Sequence, residues 1–394
     1  MKIACVGGGP TGLYFAILAR LRDRADDVVV YERQTPDATF GWGIVYWDDL
    51  LTELFATDPA TAQAMQGASV RWASQQLVVD GRRTVHHGRG GYAMSRRRLL
   101  EVLAHRASAV GVRIEYGVPV GLSDVGDADV VVAADGAGSR VRHDCGDAFG
   151  TEISEGANKY IWLGTSKVFD AFTFSLVRTD AGWVWFHGYA FDEGLSTCVV
   201  ECSSTTWAGL GFDRSGPEAC TVQLSAMFEQ SLDGHRLFNH NSSWLNFRTV
   251  TNARWHHANV VLAGDAAHTT HFTIGSGTRL AMEDSIALAE HLGGEATVAA
   301  ALSAYEQQRR AEIRQLQSEA RFSARWFENI DRYRGLDDEK FFALLRERRS
   351  PLAARLPPRW YYALHRATER SGALGRARAW VGPRARAAYS RRFG

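Results

Sequence analysis

His187 and Tyr189 stand two residues apart in the run Trp183-Val184-Trp185-Phe186-His187-Gly188-Tyr189-Ala190. An imidazole and a phenol at that spacing share one face of a strand, where they can hydrogen-bond a ring hydroxyl or draw off its proton. A second pair, His268 and His271, follows Gly264-Asp265-Ala266-Ala267 and precedes Gly275-Ser276-Gly277. A carboxylate and two glycines around a turn suit a hydroxylated chain and an electron-rich ring edge. His268 is expected to order this loop and His271 to meet a substrate. The third constellation is Gly7-Gly8-Gly9-Pro10-Thr11-Gly12, with the spacing G-x-G-x-x-G. Gly7 permits a tight turn, Gly9 lets backbone approach a pyrophosphate, and Gly12 lets a helix pack on a strand.

Each constellation needs a scaffold. Residues 3–7 form a short apolar run into the glycines, and Leu13 to Leu21 is an apolar helical stretch whose start offers free N–H groups to phosphates. A second strand, Val28 to Tyr31, ends at Glu32 with Arg33 beside it. A carboxylate there accepts ribose hydroxyls and repels a 2′-phosphate, so the dinucleotide is FAD or NAD and not NADP. Val130-Val131-Val132-Ala133-Ala134 runs into Asp135-Gly136-Ala137-Gly138-Ser139-Arg140-Val141-Arg142. Val260 to Ala263 runs into Asp265, and Gly275 and Gly277 open a helix carrying Leu280, Ile286 and Leu288. Asp265 suits a ribityl hydroxyl and that helix start a flavin edge, which favours FAD. No second G-x-G-x-x-G opens a βαβ unit; Gly88-Arg89-Gly90-Gly91 reads as a loop.

Between residues 155 and 250 the period changes to two, with aromatic and β-branched residues. Lys159–Thr165, Phe172–Arg178, Trp183–Tyr189, Ser196–Cys202 and Trp244–Val250 are candidate strands, and either face of the third could be core. Thr297 to Asn329 reads as a long amphipathic helix, and Asp337 and Asp338 as the cap of another. The expected architecture is α/β, with a Rossmann-type dinucleotide domain from 1–150 and 250–335, an inserted β-sheet substrate domain over 151–249, and a helical, Arg-rich segment over 336–394.

The 394 residues are 45% hydrophobic and 23% charged, which excludes wholesale disorder. No apolar run is long enough to span a bilayer, and the first residues read as a buried strand and not an export leader, so a cytoplasmic enzyme is expected. Five scattered cysteines do not make a disulfide framework; Cys198 and Cys202 flank strand residues, and no metal site is expected. The net charge of +1 hides a tail: from Arg346 onward thirteen arginines face two acids. That tail reads as a solvated helical surface. Aromatics among its arginines, Trp360 and Trp380 included, are too little to argue nucleic-acid binding in a near-neutral chain.

The segments Asp135–Arg142 and Gly264–His268 resemble the D-G-x-x-S-x-x-R and G-D-A-A-H motifs of the single-component FAD-dependent aromatic hydroxylases, a class that includes p-hydroxybenzoate hydroxylase. Arg96 falls where that class places a flavin-contacting arginine. The chain departs from the class at Phe272, where a proline is usual, and at Arg279, where an asparagine is usual. A narrower likeness to salicylyl-CoA 5-hydroxylases and to the monooxygenase half of anthraniloyl-CoA monooxygenases rests on residues 40–45, 158–165, 169–174 and 268–284. Indole hydroxylases of violacein biosynthesis are similar over the same stretches. The resemblance implies a p-hydroxybenzoate hydroxylase-like fold and bound FAD held by Gly7, Gly9, Gly12, Glu32, Arg33, Arg96, Asp135, Asp265, Gly275 and Gly277. It implies that NADH reduces FAD, that O₂ adds at flavin C4a, and that the hydroperoxide passes an electrophilic oxygen to an electron-rich ring. The implied substrate is an aromatic acyl-CoA, hydroxylated at the carbon para to a hydroxyl or amino group, with an indole or carrier-bound aromatic as the alternative. His187, His271 and Tyr189 are the candidates that meet the ring. A monomer or homodimer is expected.

Overall fold

The computed structural model describes residues 1–370 apart from 37, 39 and 40; Phe40, Trp380 and the arginines beyond 370 lie outside the described residues. Two sheets form the frame. The first has the order β14-β15-β7-β1-β2-β6, built from β1 (Lys2–Val6), β2 (Asp27–Glu32), β6 (Arg113–Tyr116), β7 (Val130–Ala133), β14 (His256–His257) and β15 (Val260–Leu262). All its pairings are parallel except the short β14–β15 hairpin. Ile3 to Val6, Val28 to Val30 and Val130 to Ala133 are buried, as unbroken apolar strands in a covered parallel sheet should be. Helix Pro10–Arg22 packs against helices Gly277–Gly294 and Arg96–Ala109, bringing three sequence-distant segments around the first glycine turn.

The second sheet has nine strands. It contains β3 (Gly43–Tyr46), β4 (Val70–Val79), β5 (Arg82–Ser95), β8 (Thr151–Thr165), β9 (Phe172–Thr179), β10 (Gly182–Ala190), β11 (Ser196–Ser203), β12 (Leu237–Phe238) and β13 (Leu245–Asn252). All five expected strands of 155–250 are present within one or two residues, except that β8 begins at Thr151 and not Lys159. Three strands come from residues 43–95, joined through the parallel pairing of β4 with β9. Gly88 to Gly91 lie inside β5 and not in a loop. The pairing of β4 with β5 slips between Trp72 and Ser74, so the run from His87 to Gly91 faces only that short stretch, and the glycines sit at a bulge.

Both faces of β10 are core. Trp183 and Trp185 pack with Leu77, Trp326 and Phe327, while Val184 and Phe186 pack with Phe212 and Phe228. Helix Val298–Glu328 runs beside both sheets, and helix Asp338–Arg346, capped by Asp337 accepting from Lys340 N at 2.9 Å, follows it. Among the described residues no helix is long and apolar enough to cross a membrane.

Candidate active site

A cavity of about 1020 Å³ runs from Gly9 and Pro10 at the first glycine turn to Leu245 and Asn246 on the second sheet. At its first end the three glycines divide their work. Gly7 has φ +110°, and a Cβ there would lie 2.4 Å from Ala134 O. A Cβ on Gly12 would lie 2.0 Å from Gly7 O, whereas Gly9 has open space and lines the cavity. Glu32 closes the turn: Oε2 accepts from Gly8 N at 2.7 Å and Oε1 from Gln34 N at 2.8 Å. Arg33 beside it is exposed.

Asp135 does not line the cavity. Its Oδ2 accepts from Arg140 N at 2.7 Å and Val141 N at 3.2 Å, tying down the start of the next helix, while buried Oδ1 has no partner. Arg142 is spent on carbonyls, Nη1 donating to Ala266 O at 2.7 Å and Nη2 to Ala137 O at 2.6 Å. It staples the Asp135 turn to the Asp265 turn. Arg96, Asp265, Gly275 and Gly277 do line the cavity. Asp265 is open to the cavity it lines; desolvation by the surrounding walls raises its pKa, opposed by His268 and Arg96. The Arg96 guanidinium has no hydrogen-bond partner among the described residues. Helix Gly277–Gly294 starts without a side-chain cap. An open glycine, an unpaired guanidinium and an uncapped helix start around one cavity fit the phosphates and ring edge of a flavin dinucleotide.

His268 faces away from the cavity. Its Nε2 meets Asp284 Oδ2 at 2.8 Å, and its ring stacks on Trp255 at 4.8 Å. Asp284 also accepts from Gly264 N at 2.8 Å and from Arg309 Nε at 2.8 Å. Burial alone would raise this carboxyl, but His268 and Arg309 outweigh it and hold its pKa below the usual range. Arg279 joins the same network, pairing with Glu283 and with Asp49.

At the other end the cavity wall is aromatic: Trp47, Tyr160, Trp162, Phe172, Phe174 and Phe272. His187 and Tyr189 line it, 4% and 6% exposed. Tyr189 Oη donates to Gly43 O at 2.8 Å, and burial raises its pKa, so it acts as a fixed neutral phenol. His187 Nε2 is buried without a partner among the described residues. Burial, then Arg348 and His271, push its pKa well below the ordinary imidazole value. His271 is set back from the cavity between Phe247 and Phe272, at ring distances of 4.6 and 4.5 Å. Burial pulls its pKa down to about 3, and Nδ1 faces Thr273 N and Oγ1, which closes the local turn.

The description "FAD binding domain" matches residues 86–320. A salicyloyl-CoA 5-hydroxylase from a Streptomyces species is 40% identical over 87% of this chain and 68% of its own. A 3-hydroxy-4-methyl-anthranilyl-[aryl-carrier protein] 5-monooxygenase of Streptosporangium sibiricum is 36% identical over 84% of this chain and 90% of its own. The chain is a member of the FAD-dependent aromatic monooxygenases. Protodeoxyviolaceinate monooxygenase of Chromobacterium violaceum is 29% identical over 93% of this chain. Among solved structures, a tetrameric 2-methyl-3-hydroxypyridine-5-carboxylic acid oxygenase superposes with TM-score 0.70 at 21% identity, covering 91% of this chain and 96% of that one. The p-hydroxybenzoate hydroxylase-like fold expected from the motifs is therefore the fold of this monooxygenase.

Both departures from the class motif have a place in the monooxygenase. Phe272 packs on Tyr160 at 4.9 Å and faces His187 at 6.2 Å, adding a ring to the cavity wall. Arg279 turns outward to its carboxylates. Arg346, Arg348 and Arg349 also line the cavity, and no motif marks them. They belong to the tail read as solvated surface, and only the fold of helix Asp338–Arg346 against the second sheet turns them inward.

Proposed function

We propose that this monooxygenase hydroxylates the ring of an aromatic acyl thioester, with salicylyl-CoA converted at C5 to gentisyl-CoA as the specific reaction. The observation that carries the reading is the single cavity joining a flavin-type glycine turn to an aromatic wall, in a chain 40% identical to a salicyloyl-CoA 5-hydroxylase. Residues 1–150 and 250–335 hold FAD, with Gly9, Arg96, Asp265 and Gly277 against it and Glu32 at the ribose. Residues 151–249, joined by the strands of 43–95, hold the ring. Bound FAD, reduced by NADH and exposed to O₂, supplies an electrophilic oxygen. The residues of the chain orient the acceptor ring and keep water from that oxygen: Phe172, Phe174, Phe272 and Trp162 give flat apolar faces, and Tyr189 and His187 stay neutral.

A carrier-bound aromatic is the second reading, favoured by the 36% identical relative that acts on an aryl-carrier protein substrate. One panel separates them. NADH consumption by the FAD-loaded enzyme should rise with salicylyl-CoA and give a product one oxygen atom heavier. Equal stimulation by free salicylate removes the thioester from the assignment, and turnover of an acylated carrier protein alone selects the second reading.

A further inference from the structure

Arg348 lines the cavity half-buried and is bound only by neutral groups. Nε donates to Ser323 Oγ at 3.1 Å, Nη1 to Leu345 O at 2.9 Å and Nη2 to Thr273 O at 2.9 Å. Among the described residues no carboxylate pairs with it, and two of its five N–H groups are left over. Its guanidinium carbon lies 5.5 Å from the centre of the Phe174 ring, and the His187 ring meets the same phenyl edge-on at 5.0 Å. Both side chains line the cavity, and His187 Nε2 is without a partner. A half-buried cation with no carboxylate partner among the described residues and a buried imidazole with an unmet nitrogen, on one aromatic ring, leave donors for a ligand to meet.

Resting on the aryl-thioester reading, we propose that Arg348 and His187 seat the ring's electron-donating substituent, that this substituent is a hydroxyl, and that it binds as phenolate. Arg348 supplies the counter-charge and neutral His187 donates Nε2–H to the same oxygen. On binding, the O–H bond breaks, the electron pair stays on the ring oxygen, and the proton leaves to solvent. His187 does not keep it, because burial and the neighbouring Arg348 and His271 oppose a second positive charge. The other charged groups lining this cavity are Arg96, Lys159, Arg248, Arg346 and Arg349, the last 3.8 Å from Glu319, against the carboxylates of Glu155 and Asp265. Their sum favours an anion. A phenol of ordinary pKa near 10 is thereby ionised at neutral pH, which raises electron density at the para carbon. An amino substituent brings N–H donors to N–H donors and leaves Arg348 uncompensated, so hydroxyl is selected over amine.

The test uses the FAD-loaded enzyme and four probes: salicylyl-CoA, anthraniloyl-CoA, benzoyl-CoA and free salicylate. Calorimetry at pH 7 in buffers of different ionisation enthalpy should report close to one proton released on binding salicylyl-CoA and none on binding benzoyl-CoA. Arg348→Met should abolish that release and weaken salicylyl-CoA about tenfold or more, while benzoyl-CoA changes by less than about threefold. The charge-keeping Arg348→Lys should recover most of the loss, which separates the charge from any packing defect. The variants' hydroxyl-over-amine preference should fall with the charge. Wild-type binding without proton release, or an equal loss on salicylyl-CoA and benzoyl-CoA in Arg348→Met, overturns the inference and leaves the thioester reading standing. Binding of free salicylate but of no CoA ester overturns the thioester reading itself.

Discussion

At the scale of single residues, the cofactor side depends on charges left deliberately unmet. Arg96 and Asp265 line the same cavity, and among the described residues the Arg96 guanidinium has no hydrogen-bond partner, so its donors are open to a dinucleotide. Replacing it with Met should leave the fold intact and weaken FAD about tenfold to a hundredfold, as expected for one charge-assisted contact. Titration of the apoenzyme by flavin fluorescence reads this directly. Residues differ in how far the sequence alone reveals them. Gly7, Gly9 and Gly12 act through backbone, and backbone needs are written locally, so their spacing sufficed. Asp135 was misplaced because its motif says nothing about where the carboxylate points; it caps a helix. Proximity to Asp265 in the sequence points His271 at the substrate, yet Phe247 and Phe272 hold it back from the cavity. Arg348 was invisible, since nothing near position 348 distinguishes an arginine turned inward from its many solvated neighbours.

At the scale of elements, the Asp265 turn is held from beneath. Asp284 on helix Gly277–Gly294 binds Gly264 N, His268 and Arg309, the last from helix Val298–Glu328. Three elements thus meet on one carboxylate that is fully buried. Removing one member leaves a charge unpaired in a dry interior, which is far costlier than never having built the pair. Arg309→Met should lower unfolding free energy by about 3–5 kcal/mol in urea titration. It should also loosen FAD, because the turn carrying Asp265 loses its footing. A matched change at exposed Arg98, which pairs with Glu101 on the surface at 3.2 Å, should cost about 0–1 kcal/mol. The periodicity of residues 297–329 foretold the helix well, but an amphipathic pattern cannot say which buried acid its arginine will find.

At the scale of the whole molecule, stability should depend on pH through groups buried far from one another. Glu201 lies between Asn158 and Trp185, accepting from each at 2.8 and 3.2 Å, and burial raises its pKa to about 8. The folded protein therefore holds a proton that the unfolded chain gives up above its ordinary carboxylate value. Stability from this group is lost as pH climbs from the unfolded value toward 8. His187 and His271 work in the opposite sense: their folded values are depressed, so the unfolded chain binds more protons below about pH 6.5 and stability falls on acidification. Asp284, held low, adds to the acid loss. The two slopes predict maximal stability near pH 6.5, with denaturant midpoints declining on both sides. A midpoint that keeps rising from pH 6.5 to 8 contradicts the burial of Glu201 in its protonated form. The sequence revealed the two-sheet plan, since the change of period near residue 155 marks it. It hid the contribution of 43–95, because strands paired across 97 residues, as Leu77 is with Phe174, leave no local trace.

Helix Val298–Glu328, with thirty-one residues, is a rod of about 46 Å. Its first half carries Arg309 under the cofactor turn; its last turns carry Ser323 against Arg348 and Phe327 stacked on Trp185. Neither end can slide without disturbing its opposite. A roomier acceptor site is therefore to be sought in single side chains along a fixed beam: an engineer should trim Phe272 or Phe172 and leave the beam where it lies.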